Sequence, residues 1–521
     1  PLHEMQAGGQ SFPITANYHL SSVKPQLQEG CLALGWSLQT GGYISRSVNG
    51  MYDEKMHADG YAPGYYANAY RLKGMTNEQF TAATKRIRSD VGKEDYYELA
   101  ADEFSFSFFG YTGTFYYNED GGWTVISDQD IRVEFNPADG EGFVKLDGLR
   151  PEIEHGSWGV QDYNDRFFNK FTLVTPDGCC YEFGGINATE YSISYYNRNN
   201  SDLIATTWQL SKIVTPDNRT VTYHYEATDL LCDLKYVPQA KTLYNAPCTP
   251  HNPSRGRDAM TGFLIMPVRL AGISTPDEEI SFDYFEDLAY SSHFWAAALG
   301  WNVDEYYPED IYHPAQEFER RQFSLFMHTT LDYTTSPLLQ QSIQKNLKHS
   351  TLHRIGIRSK NSAVCARSVY FDYTFKNRRK LALVALREGV PALIPDYVSA
   401  PGKLVLRGYK VPVSPAPGKD PEYKFAYNTE RPMPTSYTNP ETDYWGYYVG
   451  SNVSFSAIPQ FKKPTPSLIF SQSDVLTEIT YPTGAKSRFE YVLNNYSKIV
   501  DITHTRLDNQ LGNAGGLRVA A

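Results

Sequence analysis

Apolar and polar residues alternate along Leu210–Tyr225 in a way that predicts a β-hairpin. The segment opens as a strand and turns at Thr215–Asn218, where Pro216 presets φ and Asn218 tolerates the left-handed conformation. In the returning strand the apolar and aromatic positions share one face, as in a half-buried strand. That face carries Val221, Tyr223 and Tyr225, and the opposite face carries Thr220, Thr222 and His224.

The same hairpin pattern recurs along the chain. Four further segments carry apolar and aromatic residues at matching or nearly matching offsets, with a turn between them: Leu173–Phe183, Leu270–Tyr284, Leu352–Tyr373 and Leu476–Tyr491. Their spacing is irregular, which excludes a solenoid of fixed period. The pattern therefore predicts consecutive hairpins interrupted by insertions. The alternative is an ordinary all-β protein, because such proteins also join apolar strands by turns that contain Pro and Gly.

Other segments also predict strands. Phe12–Tyr18 reads as an opening strand, and Leu32–Val48 as two strands around a hairpin turn at Gly41-Gly42. Alternating Phe residues predict a meander of several strands over Asp102–Phe135. Strands resume at Leu381–Leu386 and Leu404–Leu406, and the proline-rich stretch Pro391–Lys419 is otherwise expected to be an irregular, exposed connection.

Helical signals are few. Thr76-Asn77-Glu78-Gln79 has the form of a capping box, which predicts a short helical insert near residues 76–90. Its buried stripe is expected to comprise Phe80, Ala83, Thr84 and Ile87. Residues 286–346 have helical composition, so the predicted organisation is a β-rich segment 1–285, a mostly helical insertion 286–346 and a hairpin-rich segment 347–521. The predicted fold class is mainly β, with large antiparallel sheets of consecutive hairpins and short helical insertions.

Composition and charge exclude some classes of function. Aromatic residues make up 14% of the chain, with 40 Tyr, a residue that suits pleated, half-buried surfaces. The formal net charge is −11 and no long basic patch occurs, so nucleic acid is a poor candidate partner. The sequence contains no run of about twenty apolar residues, so no membrane-spanning helix is predicted. Both ends look cut from something longer, so the lack of a signal segment is not taken to indicate a cytoplasmic protein.

The cysteines do not indicate a metal site. The chain has 6 Cys, and none has the spacing of metal ligands. Cys179 and Cys180 are adjacent on a predicted strand, so their side chains are expected to point to opposite faces. Buried free thiols are the default interpretation, and a disulfide between Cys232 and Cys248 stays open.

Several clusters of acidic residues are candidate metal or catalytic sites. The segment 302–313 carries Asp304, Glu305, Glu309, Asp310 and His313, which fit a solvated acidic face better than a metal site. Asp162–Asp165 resembles a calcium loop only faintly, because the Gly and distal Glu of an EF-hand are missing. A sugar-cleaving pair of carboxylates could be sought among Glu278, Glu279, Asp283, Glu286 and Asp287, although 59 acidic residues make such groupings common.

No site residue is predicted. No nucleophile elbow, zinc-protease motif or phosphate-binding loop occurs. Arg46 is expected to pair with a carboxylate or with backbone carbonyls and to serve the fold. We therefore expect no catalytic, cofactor-binding or metal-binding residues and no cofactor.

Several landmarks in order resemble one protein family. They are LGWSLQTGGYISRSVNG at Leu34–Gly50, FPITANYHLSSVKPQ at Phe12–Gln26, DEFSFSFFGYTGTFYY at Asp102–Tyr117, YKFAYN at Tyr423–Asn428, DYWGYYVG at Asp443–Gly450, LTEITYPTGAKSRFEY at Leu476–Tyr491 and AGGLRV at Ala514–Val519. Together they resemble the N-terminal region of Rhs/YD-repeat proteins, which include the Tc-toxin B-type shell components. The nearer resemblance is to large Rhs-like surface or secreted proteins of Bacteroidetes. Cys31-Leu32-Ala33 departs from the family's glycine-bearing approach to Leu34, and the C-terminal repeat array, its self-cleaving aspartates and its toxin tip are missing.

The resemblance implies a structural role. In relatives, hairpin repeats curl into a hollow shell around a C-terminal effector, so we expect a non-enzymatic shell segment of a secreted or cell-surface protein. Its expected partner is the C-terminal part of the same polypeptide, and other surface or secretion components are further possible partners. No transmembrane segment is expected in the given sequence. Two alternatives stay open: a surface module that binds glycans through exposed Tyr and Trp, and an enzyme that acts on glycosides.

Overall fold

The computed structural model describes most of the chain. The described residues are 1–27, 29–56, 60, 62–87, 97–145, 166–194, 203–228, 231–237, 259–287, 349–361, 367–376, 380–389, 394–400, 403–410, 422–434, 441–450, 465–500 and 506–520.

Strands dominate this part of the chain, which confirms the predicted fold class. In chain order they are β1 His3–Ala7, β2 Gln10–Tyr18, β3 Trp36–Gln39, β4 Gly42–Ser47, β5 Glu103–Phe108, β6 Tyr111–Tyr117, β7 Trp123–Ile126, β8 Arg132–Glu134, β9 Phe143–Lys145, β10 Arg166–Phe168, β11 Lys170–Val174, β12 Cys180–Gly184, β13 Thr189–Ser194, β14 Leu203–Val214 and β15 Thr220–Ala227. They continue with β16 Leu231–Val237, β17 Ala259–Met266, β18 Val268–Ser274, β19 Glu278–Asp287, β20 His349–Ser359, β21 Arg367–Lys376, β22 Lys380–Gly389, β23 Ile394–Ala400, β24 Lys403–Lys410, β25 Glu422–Tyr427, β26 Leu476–Thr480, β27 Lys486–Arg488, β28 Tyr491–Val500 and β29 Leu507–Val519.

The helices of the described residues are short. They are α1 Tyr65–Asn68, α2 Asn77–Ile87 and α3 Leu468–Ser471, with 3₁₀ turns at Leu20–Ser22 and Ala69–Leu72. The predicted capping box of α2 is present, because Thr76 N–H donates to Gln79 Oε1 at 2.8 Å and Gln79 N–H donates to Thr76 Oγ1 at 3.3 Å. The predicted buried stripe is wrong at Phe80, which is 42% exposed. The helix therefore gains little from packing through Phe80.

Two antiparallel sheets share the long strand β14. The first, which we call the hairpin sheet, has the order β8-β11-β12-β14-β15-β18-β19-β20-β21-β22-β25-β26-β27. The second has the order β7-β6-β5-β4-β14-β13-β17-β16. Residues 203–209 of β14 pair within the second sheet, and residues 210–214 pair within the hairpin sheet. The predicted meander over Asp102–Phe135 supplies β5, β6, β7 and β8.

The predicted hairpins occur, and their turns have the predicted form wherever the whole turn lies within the described residues; the turn of Leu352–Tyr373 does not. Asn218 has a φ of 63°, and glycines occupy the equivalent left-handed position elsewhere, Gly178 at 83° and Gly484 at 85°. In each of these turns the carbonyl oxygen of the first residue accepts a hydrogen bond from the N–H of the left-handed residue, as Thr215 does from Asn218. The N–H of the first residue donates to the carbonyl oxygen of the residue that follows the left-handed one, as Thr215 does to Arg219. The turn after β18 is one residue shorter, because Thr275 N–H donates directly to the Glu278 carbonyl at 2.9 Å.

Apolar residues of successive hairpins stack in rows across the hairpin sheet, as expected for side chains on one face of paired strands. One row runs Tyr223, Ile273, Ile280 and Ile357 across four strands. All four side chains are buried and belong to one core. Strand pairing and core packing therefore stabilise the same arrangement.

The Gly41-Gly42 segment joins two strands but is not a hairpin turn. β3 pairs with β2, and β4 pairs with β5 and β14, so the segment carries the chain from one sheet to another. Neither glycine has a positive φ. A Cβ on Gly41 would lie 2.7 Å from Leu210 Cδ2, and a Cβ on Gly42 would overlap the Ser107 carbonyl oxygen and Phe108. These glycines allow close approach of strands, which differs from the predicted role.

The proline-rich stretch 391–419 is more regular than predicted. β23 and β24 pair through most of their length, and β24 extends well beyond the predicted Leu404–Leu406. Pairing of backbone groups overrides the weak local signal there. The mostly helical insertion 286–346 lies outside the described residues, except that Glu286 and Asp287 end β19. The proposed division into three segments stays a prediction.

Candidate functional site

In each of four hairpin units one tyrosine makes a hydrogen bond that joins the closing strand to the opening strand, and we call this bond the Tyr–Leu fastening. The hydroxyl of the closing Tyr donates to the carbonyl oxygen of the Leu that opens the same unit. The pairs are Tyr225 to Leu210 at 3.0 Å, Tyr284 to Leu270 at 2.9 Å, Tyr373 to Leu352 at 2.6 Å, and Tyr491 to Leu476. Burial raises the pKa of Tyr491 to about 12 and raises the pKa of the other three hydroxyls too, so all four stay protonated donors at neutral pH.

An irregularity in strand pairing recurs just before the tyrosine. The register shifts between His224 and Tyr225, between Asp283 and Tyr284, and between Asp372 and Tyr373. A β-bulge of this kind bends the strand and re-aims the side chain that follows. The bulge thus turns each ring toward the carbonyl that it binds. The Leu-to-Tyr offsets in the sequence hinted at this contact, but the bulge had no recognisable signal.

The N-terminal segment, residues 1–41, lies across the hairpin units. Its backbone and side chains bind hairpin units that are far apart in sequence. Two backbone carbonyls accept hydrogen bonds, that of Cys31 from Leu352 N–H at 2.7 Å and that of Thr40 from Tyr223 Oη at 3.0 Å. Three side chains also make contacts: His3 Nε2 lies 2.8 Å from Glu278 Oε2, Trp36 Nε1–H donates to Tyr427 Oη at 2.8 Å, and Tyr18 Oη accepts from Leu476 N–H at 2.9 Å. Met5, Phe12 and Ile14 of this segment are buried in the core that the hairpin sheet also forms. The segment therefore covers apolar surface of the sheet.

The opposite face of the hairpin sheet is charged. Residues directly opposite each other on neighbouring strands form ion pairs: Lys212 with Glu182 at 3.0 Å, Arg269 with Glu226 at 3.2 Å, Arg354 with Asp283 at 3.2 Å and Arg488 with Glu478 at 2.7 Å. Pairs this exposed contribute little stability each. They make a polar face that suits contact with water or with a polar surface.

Arg46 lies at the centre of a buried charge cluster. Its guanidinium is fully buried and donates to Asp102 Oδ2 at 2.7 Å and to Glu54 Oε1 at 2.9 Å. The rings of Phe104 and Phe168 lie 5.4 and 5.5 Å from the guanidinium. The expected pairing of Arg46 with carboxylates is therefore confirmed. The sequence did not identify Glu54 and Asp102 as its partners, because no pattern links them to Arg46.

Asp53 adds a third carboxyl group to this cluster. Asp53 N–H donates to Asp102 Oδ2 at 3.0 Å, and Asp102 N–H donates to Asp53 Oδ1 at 2.9 Å. Burial raises the pKa of Asp53 well above its ordinary value, and the nearby Asp102 carboxylate raises it further. One cation thus balances part of a buried group of three carboxyls, and burial favours the neutral form of Asp53 over the charged one.

The carboxylates weighed as a sugar-cleaving pair are engaged in separate contacts. Glu278 binds His3, Glu279 binds Ser274 Oγ at 2.7 Å, and Asp283 pairs with Arg354. The side chains of Glu286 and Asp287 lie outside the described part. The described carboxylates of this group therefore form cross-strand and turn contacts and do not converge on one cleft.

The remaining candidates give no site within the described residues. No cluster of three or more metal-ligating side chains occurs there. Both Asp162–Asp165 and the acidic segment 302–313 lie outside those residues, as does Cys248. Cys31, Cys179 and Cys180 are free thiols, with Cys179 buried and Cys180 partly exposed, as expected for opposite faces. Within the described ranges, no helix has the length and apolar character to cross a membrane.

Comparisons with known proteins give structural likeness only. No family model and no curated protein matches the chain. Among solved structures, TcdB2-TccC3 is 12% identical with a TM-score of 0.32, covering 82% of this chain and 16% of the other. The N-terminal domain of the effector protein SpvB from Salmonella typhimurium is 11% identical with a TM-score of 0.28, covering 74% and 97%. The Photorhabdus luminescens Tc holotoxin pore is 12% identical with a TM-score of 0.28, covering 81% and 15%.

The lengths differ as much as the sequences. The chain spans less than a fifth of the TcdB2-TccC3 and holotoxin chains but nearly the whole of the SpvB domain. At such identities and TM-scores the likeness says nothing about function. The chain is a mainly β protein of paired hairpins with a weak structural similarity to these toxin and effector proteins.

Proposed function

We propose that this chain is a non-enzymatic wall segment of a secreted or cell-surface Rhs/YD-repeat-like protein. In the proposal, the hairpin sheet forms part of a shell that encloses or displays a C-terminal effector of the same polypeptide. The observation that carries it is the uninterrupted edge-to-edge pairing from β11 to β27, with one Tyr–Leu fastening in each of four units. The ordered landmarks shared with Rhs/YD-repeat proteins add support.

The two faces of the sheet fit different roles in such a wall. The N-terminal segment covers apolar surface of one face, so that surface is already filled by protein. The other face presents cross-strand ion pairs. A polar inner or outer surface would touch a cargo without trapping it by hydrophobic contact.

Limited proteolysis of the natural polypeptide with its C-terminal part tests the proposal. We expect the C-terminal part to resist protease while the wall is folded, and to be digested at the rate of the isolated part after the wall is opened. Tyr373→Ala opens the wall by removing a fastening, and Tyr70→Ala, at a side chain that is 63% exposed, is the matched control.

Two results would contradict enclosure. One is equal digestion of the C-terminal part with and without the folded wall. The other is an expressed protein with no effector beyond these residues. Display on the surface predicts a different pattern, in which the C-terminal part is digested freely but remains attached to cells.

A further inference from the structure

Tyr444 and Trp445 differ from most described aromatic residues of this chain. The tyrosines that close the hairpin units are partly or fully buried, and their hydroxyls bind backbone carbonyls. Tyr444 and Trp445 are instead 57% and 43% exposed, with ring centroids 6.3 Å apart and ring planes at 82°. They are the only exposed side chains of residues 441–450. This short segment therefore presents two aromatic rings and no exposed aliphatic group.

The segment that carries the two rings is held in one conformation. The buried Asp443 accepts at Oδ1 from Trp445 N–H at 2.9 Å and from Tyr447 N–H at 3.0 Å. Asp443 N–H also donates to the Tyr447 carbonyl at 2.9 Å, which closes the turn. Gly446 supplies the positive φ of 86° that this turn requires. The rings thus stand on a preformed support, and a ligand would not have to order it.

Bare backbone lies beneath the indole. A Cβ on Gly515 would lie 2.8 Å from Trp445 Cβ and Cε3, and a Cβ on Gly516 would lie 2.9 Å from Tyr447 Oη. Only glycine lets β29 approach this closely. The indole packs against β29 near Gly515, which leaves its remaining surface exposed. Its Nε1–H makes no hydrogen bond within the described part of the chain.

The surroundings of the rings are polar. Lys24 Nζ lies 4.6 Å from the centre of the neighbouring Tyr447 ring, and Asn494 Nδ2 donates to the Gly515 carbonyl at 3.2 Å. Protein–protein interfaces usually have few charged side chains at their buried centre. An exposed indole with a free N–H beside charged and amide groups combines stacking with hydrogen bonding.

We propose that Trp445 and Tyr444 form a binding site for neutral carbohydrate. One sugar ring would stack its C–H face on the indole, Trp445 Nε1–H would donate to a sugar hydroxyl, and Tyr444 would form a side wall. This site is independent of the proposed shell, because it uses an exposed turn outside the hairpin sheet. Binding here would attach the wall to a glycan-bearing surface.

Affinity electrophoresis in gels that contain laminarin, xyloglucan or dextran tests the proposal. We expect at least one polysaccharide to retard the wild-type chain, with a dissociation constant that rises at least about tenfold in Trp445→Ala, or about 1.4 kcal/mol. Trp445→Phe should keep part of the retardation, because it keeps a ring. Tyr70→Ala, another exposed aromatic residue on a different element, should migrate as the wild type does.

Circular dichroism and thermal unfolding of each variant show whether it folds, and Tyr444→Ala provides a second variant if Trp445→Ala does not. The proposal is overturned if neither these gels nor a glycan array shows binding by the wild-type chain. It is also overturned if Tyr70→Ala loses binding as much as Trp445→Ala. A third contrary result is self-association of the wild-type chain that Trp445→Ala abolishes, since the rings would then be a protein contact.

Discussion

The hairpin units and the Arg46 cluster both bury polar groups, the hairpin units as neutral hydrogen-bonded pairs and the Arg46 cluster as charged groups. Each of four hairpin units buries one neutral hydroxyl against one carbonyl, and in three of the four a β-bulge precedes the tyrosine. The Arg46 cluster buries a cation with three carboxyls and occurs once among the described residues. Neutral pairs avoid the desolvation of charge, so they can be repeated at small cost. The charged cluster depends on its single cation, because Arg46 is the counter-ion of both Glu54 and Asp102.

Removal of the buried cation should have the largest effect. In Arg46→Met the carboxyls of Glu54 and Asp102 lose their counter-ion, so we expect the free energy of unfolding to fall by about 3–5 kcal/mol. Urea denaturation measures the change. Arg354→Met, which breaks the more exposed pair with Asp283, is the control and should cost about 0–1 kcal/mol. Equal losses in the two variants would show that burial of the Arg46 cluster does not matter.

Loss of one tyrosine fastening should have an intermediate effect. Tyr225→Phe keeps the ring but leaves the Leu210 carbonyl without its donor, which should cost about 1–3 kcal/mol. Tyr423→Phe is the control, because its ring is 37% exposed and its hydroxyl makes no hydrogen bond within the described residues. If both variants unfold at the same urea concentration as the wild type, the fastening has no energetic role.

A change in turn conformation should have a smaller effect. Gly484 has a φ of 85° and open space around the position of a Cβ, so Gly484→Ala tests backbone strain alone. We expect a loss of about 1–2 kcal/mol in thermal or urea unfolding. Asn218→Gly at the equivalent turn should change stability little, because both residues adopt this conformation. A neutral Gly484→Ala would mean that the turn can relax.

Replacement of Asp53 should have the smallest effect at neutral pH and a clear effect on pH dependence. Because the folded protein raises the pKa of Asp53, the associated stabilisation is fully present below the ordinary pKa of 3.8 and is lost as pH rises through the raised value. Asp53→Asn keeps an oxygen for the Asp102 N–H and carries no titrating proton. Urea unfolding across pH should therefore show a smaller loss of stability with rising pH in the variant. An unchanged slope would assign the pH dependence to other groups.

The sequence predicted the hairpins well because their signals are local. Alternation, Pro216 and the left-handed Asn218 all act within one unit, and the structure has the strands and turn as expected. The sequence also indicated that Arg46 would be paired. Its partner Asp102 lies 56 residues away and enters only because β4 pairs with β5, which no local pattern reveals.

The errors have related causes. Gly41 and Gly42 were predicted to form a hairpin turn from their conformational freedom, whereas the structure uses their small size between Leu210, Ser107 and Phe108. Phe80 was predicted to be buried from its helical spacing, yet it is exposed. In both cases the outcome depends on which distant element lies next to the residue. The exposed pair Tyr444 and Trp445 has no signal in the sequence, because the exposure of an aromatic residue is set by tertiary packing.

The long reach of the N-terminal segment has a consequence for the order of folding. Tyr18 binds Leu476 across 458 residues, and Trp36 binds Tyr427 across 391. During translation β2 and β3 therefore emerge long before their partners have been synthesised, and their apolar side chains stay exposed to water in the meantime. Contacts this distant in sequence slow folding and favour aggregation in the interval. A chaperone that held the N-terminal segment until residues 427–476 had been synthesised would limit this aggregation.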